Sequence, residues 1–258
     1  MQQGFAKSQI DRLGERLRSG EVSEADLLLL DQYRRSFQGP YEAVVGVVRT
    51  RMDLQPTGRP AKSTSAIRDK LQRESIRLSQ MQDIAGCRLV VADVHVQDAV
   101  VDVLRMSLNV GSIVDRRLKP SHGYRSVHLV AMHDGRPIEI QIRTRLQHVW
   151  AELSEKAADV IDPSIKYGGG PEAIRSLLDQ ASVAVMSQEK LTTMHADVQQ
   201  RLAAVHAQRG QAEHDESELA ELRSELIEVG QAVAQGYEAL EAVLLRAMAT
   251  MSDWEWEE

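Results

Sequence analysis

Apolar residues recur at helical spacing in the first part of the chain. One predicted helix begins at Ser23, a typical N-cap residue, because Glu24 and Asp26 follow in its first turn and favour the positive end of the helix dipole. Pro and Gly at residues 55–60 indicate a loop. The predicted helices of this part are residues 5–19, 23–38 and 41–54, and a fourth that begins at Ser63 or Ser65.

From Gly86 onward, short apolar runs and alternating patterns indicate strands. Asp134-Gly135 stands between two such runs and is a strong hairpin signal. The predicted strands are residues 87–91, 112–118, 125–132 and 137–143, with helices at 96–108 and 147–160. We therefore expect an α+β fold, in which helices flank a mixed β-sheet.

The last part of the chain shows helical spacing alone. Apolar residues alternate at spacings of three and four, which is typical of a coiled-coil seam, and a polar stretch at 208–215 is predicted to turn. The predicted seam consists of Leu191, Met194, Val198, Leu202, Val205, Leu219, Leu222, Leu226, Val229 and Val233. Residues 172–250 are thus expected to form a helical hairpin. Its seam needs a partner, either the other helix or a second subunit, and we expect a homo-oligomer through these helices.

These patterns predict three parts: N-terminal helices at 1–54, an α+β core at 55–170 and a helical extension at 171–258. The composition, 43% hydrophobic and 27% charged, is that of an ordinary globular protein. No apolar run approaches the ~20 residues that span a bilayer, so we expect a cytoplasmic protein with no membrane association. A net charge of −7 is the opposite of what non-specific nucleic-acid binding favours.

The predicted strand at 137–143 carries an unusual row of polar side chains. Glu139, Gln141 and Arg143 share one face because strand side chains alternate, and three isoleucines share the other. The isoleucines are expected in the core. The polar row indicates either a solvated outer face or a functional site.

Candidate ligands for a nucleoside triphosphate lie upstream of this strand. Asp83 precedes the strand that follows Gly86. If the fold brings Asp83 near Glu139, the two carboxylates would form an oxygen site suited to Mg²⁺. Lys70 and Arg73 are three residues apart and share a helix face. The cations of this segment are Arg59, Lys62, Lys70 and Arg73. Together they suit phosphate binding, although each alone is typical of a solvated surface.

A third motif, Gly123-Tyr124-Arg125-Ser126-Val127-His128, stands at the start of a predicted strand. Tyr124 could stack on a base or could be a half-buried strand tyrosine. If the strand is regular from residue 124, His128 shares its face.

In their order and spacing over residues 35–170, these motifs resemble those of the RelA/SpoT alarmone synthetase family. The residues that carry the resemblance are Thr57-Gly58-Arg59, Lys62, Lys70, Arg73, Gln82–Arg88, Gly123–His128, Glu139–Thr144 and Trp150-Ala151. The resemblance implies a nucleotidyltransferase-like synthetase domain. It also implies transfer of the pyrophosphate of ATP to the 3′-hydroxyl of GDP or GTP, which makes (p)ppGpp and releases AMP.

The resemblance also implies roles for particular residues. Asp83 would bind Mg²⁺, and Glu139 would bind it too or help to deprotonate the acceptor hydroxyl. Residues expected to bind ATP are Arg59, Lys62, Lys70 and Arg73 on the phosphates and Arg88 on the adenine. Residues expected at the acceptor nucleotide are Tyr124, Lys119, Arg125 and Arg143, with Gln141 and His128 as further catalytic residues.

Two other functions stay open. Some small relatives are toxins that modify adenine nucleotides or the 3′ end of tRNA, which would add tRNA or an antitoxin as a partner, and the basic loop from Arg116 to Lys119 is compatible with that. Alternatively, catalysis is lost and the chain is a regulatory or assembly module. We expect no hydrolase, because His133-Asp134 and His214-Asp215 lie in predicted turns. Trp254 and Trp256 in the acidic tail could anchor a partner or pack on the hairpin.

Overall fold

A computed structural model describes residues 4–208 and 216–253 of the chain. Its elements, in chain order, are α1 (Lys7–Ser19), α2 (Glu24–Arg35), α3 (Gln38–Met52), β1 (Thr57–Arg59), α4 (Thr64–Arg73), β2 (Ala85–Val91), α5 (Val94–Ser107), β3 (Val110–Asp115), β4 (Val127–His133), β5 (Arg136–Thr144), α6 (Arg145–Val160), α7 (Glu172–Gln208) and α8 (Glu216–Asp253). The fold is α+β, as predicted. A mixed five-stranded sheet in the order β1-β2-β5-β4-β3 has helices beside it. None of the described helices is long and apolar enough to cross a bilayer.

The chain forms two compact units that alternate along the sequence. The first comprises Met1–Val90, Ala99–Asp115 and Val127–Ile142, and the second Val91–Asp98, Arg116–Ser126 and Arg143–Glu258. The division at residues 54 and 170 that the sequence pattern suggests stays a prediction. His214-Asp215, most of the predicted turn at 208–215, and the tail tryptophans Trp254 and Trp256 lie outside the described residues.

The first unit contains nearly all of the sheet and its apolar core. Three of its strand pairs, β1 with β2, β3 with β4 and β4 with β5, are antiparallel. One face is apolar, as the alternation predicts, and its buried side chains are Cys87, Leu89, Val127, Leu129, Ala131, Ile138, Ile140 and Ile142. On the helical side, α1 packs on α4 and α3 packs on β4. This packing leaves the other face of the sheet for polar residues.

Local signals in the first unit act as the sequence predicts. The Ser23 side chain accepts a hydrogen bond from the backbone of Asp26, whose own side chain bonds back to complete a capping box. The Ser63 side chain caps α4 by accepting a hydrogen bond from the backbone of Ala66. Asp134 and Gly135 have φ values of 47° and 70°, which fit the two left-handed positions of a tight hairpin turn between β4 and β5.

The hairpin turn is anchored by an arginine among aromatic rings. The guanidinium carbon of Arg136 lies 5.3, 5.0 and 5.2 Å from the ring centroids of Phe5, Tyr33 and Phe37. Tyr33 and Phe37 also meet edge to face at 5.3 Å. In a chain that has only 4% aromatic residues, this cluster concentrates cation–π attraction at one turn of the sheet.

The second unit contains the helical hairpin. Helices α7 and α8 pack on one another and α6 packs on both. Of the predicted seam, Val198, Leu219 and Leu222 are buried, but Met194 is 51% exposed, so its place in the seam is wrong. His195 lies instead against Gly230 of α8, where an added Cβ would come within 3.0 Å of the ring. Because neighbouring helix positions differ by about 100°, Met194 points away.

The sequence pattern missed one element of the sheet. Residues 55–60 were expected to be a loop, yet Thr57–Arg59 pair with β2 as its edge strand. The approach is close: a Cβ on Gly58 would lie 2.6 Å from the Cα of Cys87 and closer still to the carbonyl of Gly86. A strand of three residues beside two prolines leaves no alternating pattern, so it is visible only through this contact.

We predict that Gly58→Ala destabilises the protein by about 2 kcal/mol, because the methyl group would overlap the backbone of β2. Gly46→Ala in α3 is the matched control, since a Cβ there meets nothing within 4 Å. That substitution should stabilise by up to about 1 kcal/mol, as helix propensity dictates. Urea unfolding of both variants tests this. Equal stability of Gly58→Ala and wild type would contradict the close β1–β2 contact.

Candidate active site

The polar face of the sheet in the first unit brings several predicted site residues together. Opposed residues of paired strands point to the same side, and Arg59 pairs with Gly86 while His128 pairs with Gln141. A Cβ on Gly86 would lie 3.3 Å from the Cβ of Glu139, so these positions also share that side. The face therefore carries Arg59, Arg88, His128, Glu139 and Gln141.

Glu139 is held as an ionised carboxylate. His128 Nδ1 lies 2.8 Å from one of its oxygens, and Gln141 Nε2 donates to the other at 2.9 Å. Burial by itself raises the pKa of Glu139, and the bonds and charge of His128 more than offset this. The pKa of Glu139 therefore lies below its ordinary value. The polar row is thus a hydrogen-bonded cluster rather than a solvated outer face.

Asp83 is enclosed by two lysines. Lys62 Nζ donates to one carboxylate oxygen at 2.7 Å and Lys70 Nζ to the other at 2.9 Å. All three side chains are at least four-fifths buried, with 18%, 13% and 20% exposed. Burial opposes ionisation of Asp83, but the charges and hydrogen bonds of the lysines prevail and lower its pKa.

The backbone fixes the position of this lysine pair. Lys62 N donates to the carbonyl of Ile84 at 2.6 Å, next to Asp83. Arg34 Nε donates to the carbonyl of Lys62 at 2.7 Å, which ties the segment to α2. Lys70 lies in the last turn of α4, which Ser63 caps. The loop and the helix therefore deliver both ammonium groups to the start of β2.

The two carboxylates fit the magnesium site that the sequence predicts. The charge of Asp83 tends to raise the pKa of Glu139, so the two carboxylates repel each other. A divalent cation would relieve that repulsion, and both groups are oxygen ligands. Within residues 4–208 and 216–253 no cluster of three or more His, Cys, Asp or Glu side chains could hold a metal ion. Further ligands would have to be phosphate oxygens and water, which is the usual pattern for Mg²⁺.

The remaining predicted ATP residues occupy different surroundings. Arg59 is exposed on the edge strand β1. Arg73 forms an ion pair with the neighbouring Glu74 at 3.0 Å. Arg88 is half-buried in β2, opposite Thr57. Cys87 is a core residue that is 4% exposed, and this burial raises the pKa of its thiol to about 12.

The predicted acceptor residues belong to the second unit. Tyr124 closes a tight turn with Ser121, so β4 begins only at Val127, and the regular strand from residue 124 that would place His128 beside Tyr124 is absent. The turn forms because His122 and Gly123 have φ values of 51° and 81°. Arg143 donates to the Tyr124 hydroxyl at 2.9 Å. Its guanidinium carbon is 5.0 Å from the ring centroid.

Lys119 and Arg125 contrast in exposure. Lys119 is exposed on the loop before the turn. Arg125 is only 7% exposed and donates to Glu189 at 2.7 Å and to the carbonyl of Arg117 at 2.9 Å. Glu189 was missed by the sequence analysis, because a carboxylate on a long helix is normally solvated. Its position seven residues after Ser182, on the face that buries Val185, was the available signal.

We predict that Asp83→Asn, studied with a chelator present, loses about 2 kcal/mol of stability at pH 7, since two buried ammonium groups lose their counter-ion. The folded pKa of Asp83 lies below its ordinary value, which is about 3.9. Its contribution is therefore complete above that pH and disappears as the pH falls through the folded pKa.

Urea unfolding of both proteins between pH 7 and pH 3 measures the difference, which should shrink toward acid. Asp69→Asn is the control, because Asp69 is 60% exposed and lies 3.9 Å from Arg68 at the surface of α4, the helix that carries Lys70. A difference that stays constant or grows toward acid would contradict the ion-pair assignment.

Comparisons with known proteins identify similar chains. Residues 58–159 match the model of the region found in RelA/SpoT proteins. An uncharacterized protein of Mycobacterium tuberculosis is 35% identical over 119 residues, which cover 44% of this chain and 43% of that protein. The probable chloroplastic GTP diphosphokinase RSH3 of Arabidopsis thaliana is 35% identical over 97 residues, 36% of this chain and 14% of its own. The matches thus span less than half the length of these relatives.

Among solved structures, small alarmone synthetase 1 from Bacillus subtilis, bound to its product pppGpp, is similar with a TM-score of 0.51. The two are 26% identical, and the match covers 64% of this chain and 96% of that one. The family match includes the segment that carries Asp83 and Glu139. Residues 58–159 therefore match the region found in RelA/SpoT proteins, in agreement with the resemblance that the motifs carry.

Proposed function

We propose that this protein is an ATP-dependent pyrophosphokinase that makes (p)ppGpp. The 3′-hydroxyl oxygen of GDP or GTP attacks the β-phosphorus of ATP and forms a new P–O bond. The bond from the β-phosphorus to the α,β-bridging oxygen breaks, AMP leaves and the hydroxyl proton is released. The observation that carries the proposal is the pair of buried, ionised carboxylates, one of them between two lysines, within the RelA/SpoT region.

Lys62 and Lys70 are the residues best prepared to hold the donor phosphates. Without a nucleotide they neutralise Asp83, so their charges are already desolvated and oriented. An incoming triphosphate offers them oxygens of higher charge, and no reorganisation of the backbone is required. Arg59 on the neighbouring edge strand and Arg73 at the end of α4 would add further cations, with Arg88 at the adenine.

Asp83 and Glu139 would hold Mg²⁺ together with phosphate oxygens of ATP. When bound, the ion would supply positive charge against the negative charge that develops during transfer. Glu139 has a lowered pKa, and a general base works best when its pKa is near the working pH. This favours charge binding and orientation as the role of Glu139 over proton abstraction. His128 and Gln141 fix the direction of its two oxygens.

For the acceptor, we propose that Tyr124 stacks on the base while Arg143 holds the tyrosine hydroxyl. Lys119 would bind acceptor phosphates. A tRNA acceptor or an adenine nucleotide stays an alternative, together with an antitoxin partner. The basic loop gives limited support to tRNA, because Arg117 is paired with Asp98 at 2.7 Å and is thus engaged inside the unit.

The proposed homo-oligomer likewise rests on the C-terminal helices. Because α7 and α8 pack on one another, each already covers part of the seam of the other. A second copy would then meet the exposed apolar side chains of these helices, among them Val183, Ile227 and Val243, which are 56%, 63% and 61% exposed. Localisation in the cytoplasm is part of the same proposal.

We predict that Glu139→Gln lowers pyrophosphate transfer at least about 100-fold, since the neutral amide loses the charge that the site is built around. The assay follows labelled ATP with Mg²⁺ and, in parallel, GDP, GTP, ADP or bulk tRNA. Asp69→Asn is the control, because Asp69 is a 60% exposed carboxylate of α4 that lies 3.9 Å from Arg68, which has no proposed role in the site.

Transfer to a guanine nucleotide that the variant abolishes establishes the proposed activity. Transfer to tRNA or ADP alone would replace it with the toxin-like alternative. Absence of transfer to any acceptor, in a protein that also fails to bind ATP, would indicate a regulatory or assembly module.

A second prediction separates metal from lysine binding. In wild type, Mg²⁺ should strengthen binding of a non-hydrolysable ATP analogue about tenfold or more, since Asp83 otherwise competes with phosphate for the lysines. In Asp83→Asn the metal-free analogue should bind at least as tightly as to wild type, and Mg²⁺ should add little. Calorimetric titrations with Mg²⁺ or with a chelator measure this. The same gain from Mg²⁺ in both proteins would exclude Asp83 as a ligand.

A further inference from the structure

One loop of the second unit has an unusual backbone conformation and is contacted from outside by helix α7. We call residues 116–126 the acceptor loop. At its tip, His122 and Gly123 are both left-handed, and a left-handed conformation is unfavourable for a non-glycine residue. Two backbone hydrogen bonds between Ser121 and Tyr124, at 3.2 and 3.0 Å, close the turn. Something outside the loop must keep the turn oriented.

Helix α7 contacts the loop at two points, two helical turns apart. Ser182 Oγ donates to the carbonyl of Gly123 at 2.6 Å. Glu189 Oε2 accepts from Arg125 Nη2 at 2.7 Å. The two residues are seven apart on one helix face, and Val185 between them is buried at 1% exposure. Both sides of Tyr124 in the sequence are therefore attached to the same face of α7.

The Glu189 contact belongs to a closed buried network. Its second oxygen accepts from Gln147 and, at 3.4 Å, from Thr144. Gln147 and Gln97 exchange hydrogen bonds, and Gln97 accepts from Arg117 at the start of the loop at 3.2 Å. Arg117 also pairs with Asp98 at 2.7 Å. These polar groups thus connect α5, α6 and α7 to both ends of the loop.

The network returns to its starting point, because Arg125 also donates to the carbonyl of Arg117 at 2.9 Å. Packing adds to this hold. Trp150 Nε1 donates to the carbonyl of Leu178 on α7 at 2.8 Å. A Cβ on Gly123 would lie 2.7 Å from that indole ring. The turn is therefore seated on a tryptophan that α7 itself orients.

We propose that Glu189 and Ser182 are positioning residues for the acceptor nucleotide. They act through Arg125 and Gly123 and fix the place of Tyr124 without touching the substrate. Arg125 is correspondingly a strut between α7 and the loop rather than a ligand for acceptor phosphates. This rests on the proposed function, in which Tyr124 stacks on the acceptor base. It makes the helical extension a part of acceptor recognition.

The physical basis is the cost of an unpaired buried charge. Glu189 and Arg125 have side chains that are 9% and 8% exposed, so each relies on the other for its compensation. Removing only one partner leaves a buried charge that can be relieved by moving the loop toward solvent. Replacing both charged side chains by apolar groups of similar length leaves no such charge.

The first experiment compares Glu189→Gln with Glu241→Gln. Glu241 pairs with Arg145 at 2.7 Å at a more exposed place in the same unit, with side chains 24% and 49% exposed. We expect Glu189→Gln to raise the KM for GDP about tenfold and to leave the KM for ATP within about twofold. Hydrogen exchange in residues 116–126 should become faster in the same variant. Glu241→Gln should change neither.

The exchange measurement needs no substrate, so it tests the strut even in a protein without transferase activity. If wild type neither binds nor uses GDP, the proposed function fails, whereas faster exchange in Glu189→Gln would still support the strut. Unchanged exchange and unchanged KM for GDP in a folded Glu189→Gln would overturn the inference. So would a mere loss of thermal stability with both quantities unchanged.

A second pair of variants separates the strut from direct binding. Arg125→Met alone should raise the KM for GDP, and Arg125→Met combined with Glu189→Met should recover part of the loss. If Arg125 contacts the acceptor directly, the double variant will be no better than Arg125→Met, which would overturn the assignment. Should Glu189→Gln fail to fold, Ser182→Ala removes one neutral hydrogen bond instead. It should raise the KM for GDP about threefold and speed exchange at Gly123 and Tyr124.

Discussion

The ion pairs around Asp83 are the interaction on which the polar face of the sheet depends. A carboxylate at the start of a buried strand would be strongly destabilising by itself, because burial opposes its charge. Lys62 and Lys70 remove that penalty from two directions. For this to happen, the segment after β1 must be bonded to Ile84 and α4 must end beside β2. The neutralisation of Asp83 therefore depends on the positions of these two segments.

The same requirement explains why the face is suited to phosphate chemistry. Buried lysines that pair with a carboxylate are already desolvated. They can also exchange this partner, because a phosphate oxygen can accept the same hydrogen bonds. A hydrophobic replacement of the three groups could give a more stable protein, as buried ion pairs often can be replaced without loss. The presence of these buried charges is therefore better explained by ligand binding than by stability. Glu139, oriented by His128 and Gln141, follows the same logic.

Much of this arrangement follows from sequence, and the exceptions have physical causes. The alternation around Ile138–Ile142 fixes which face is buried, and Asp134-Gly135 fixes the turn, because both are local properties. The short strand β1 has no local pattern and exists through its contact with β2. Glu189 is the opposite case, because its spacing places it on the helix face of Val185 whereas its charge by itself indicates a solvated position. Its burial comes from Arg125, 64 residues earlier, and no local pattern reports such a pair.

The ion pairs of the acceptor loop also indicate the size of the acceptor that the loop would bind. Sequence places several cations there, but Arg117 is paired with Asp98 and Arg125 with Glu189, so both are compensated within the unit. A polyanion such as tRNA is bound mainly by uncompensated cations along its backbone. Lys119 is exposed, in a protein whose net charge is −7. A loop in which Arg117 and Arg125 serve its own geometry is better suited to one small nucleotide, held by a well-placed Tyr124, than to an extended nucleic acid.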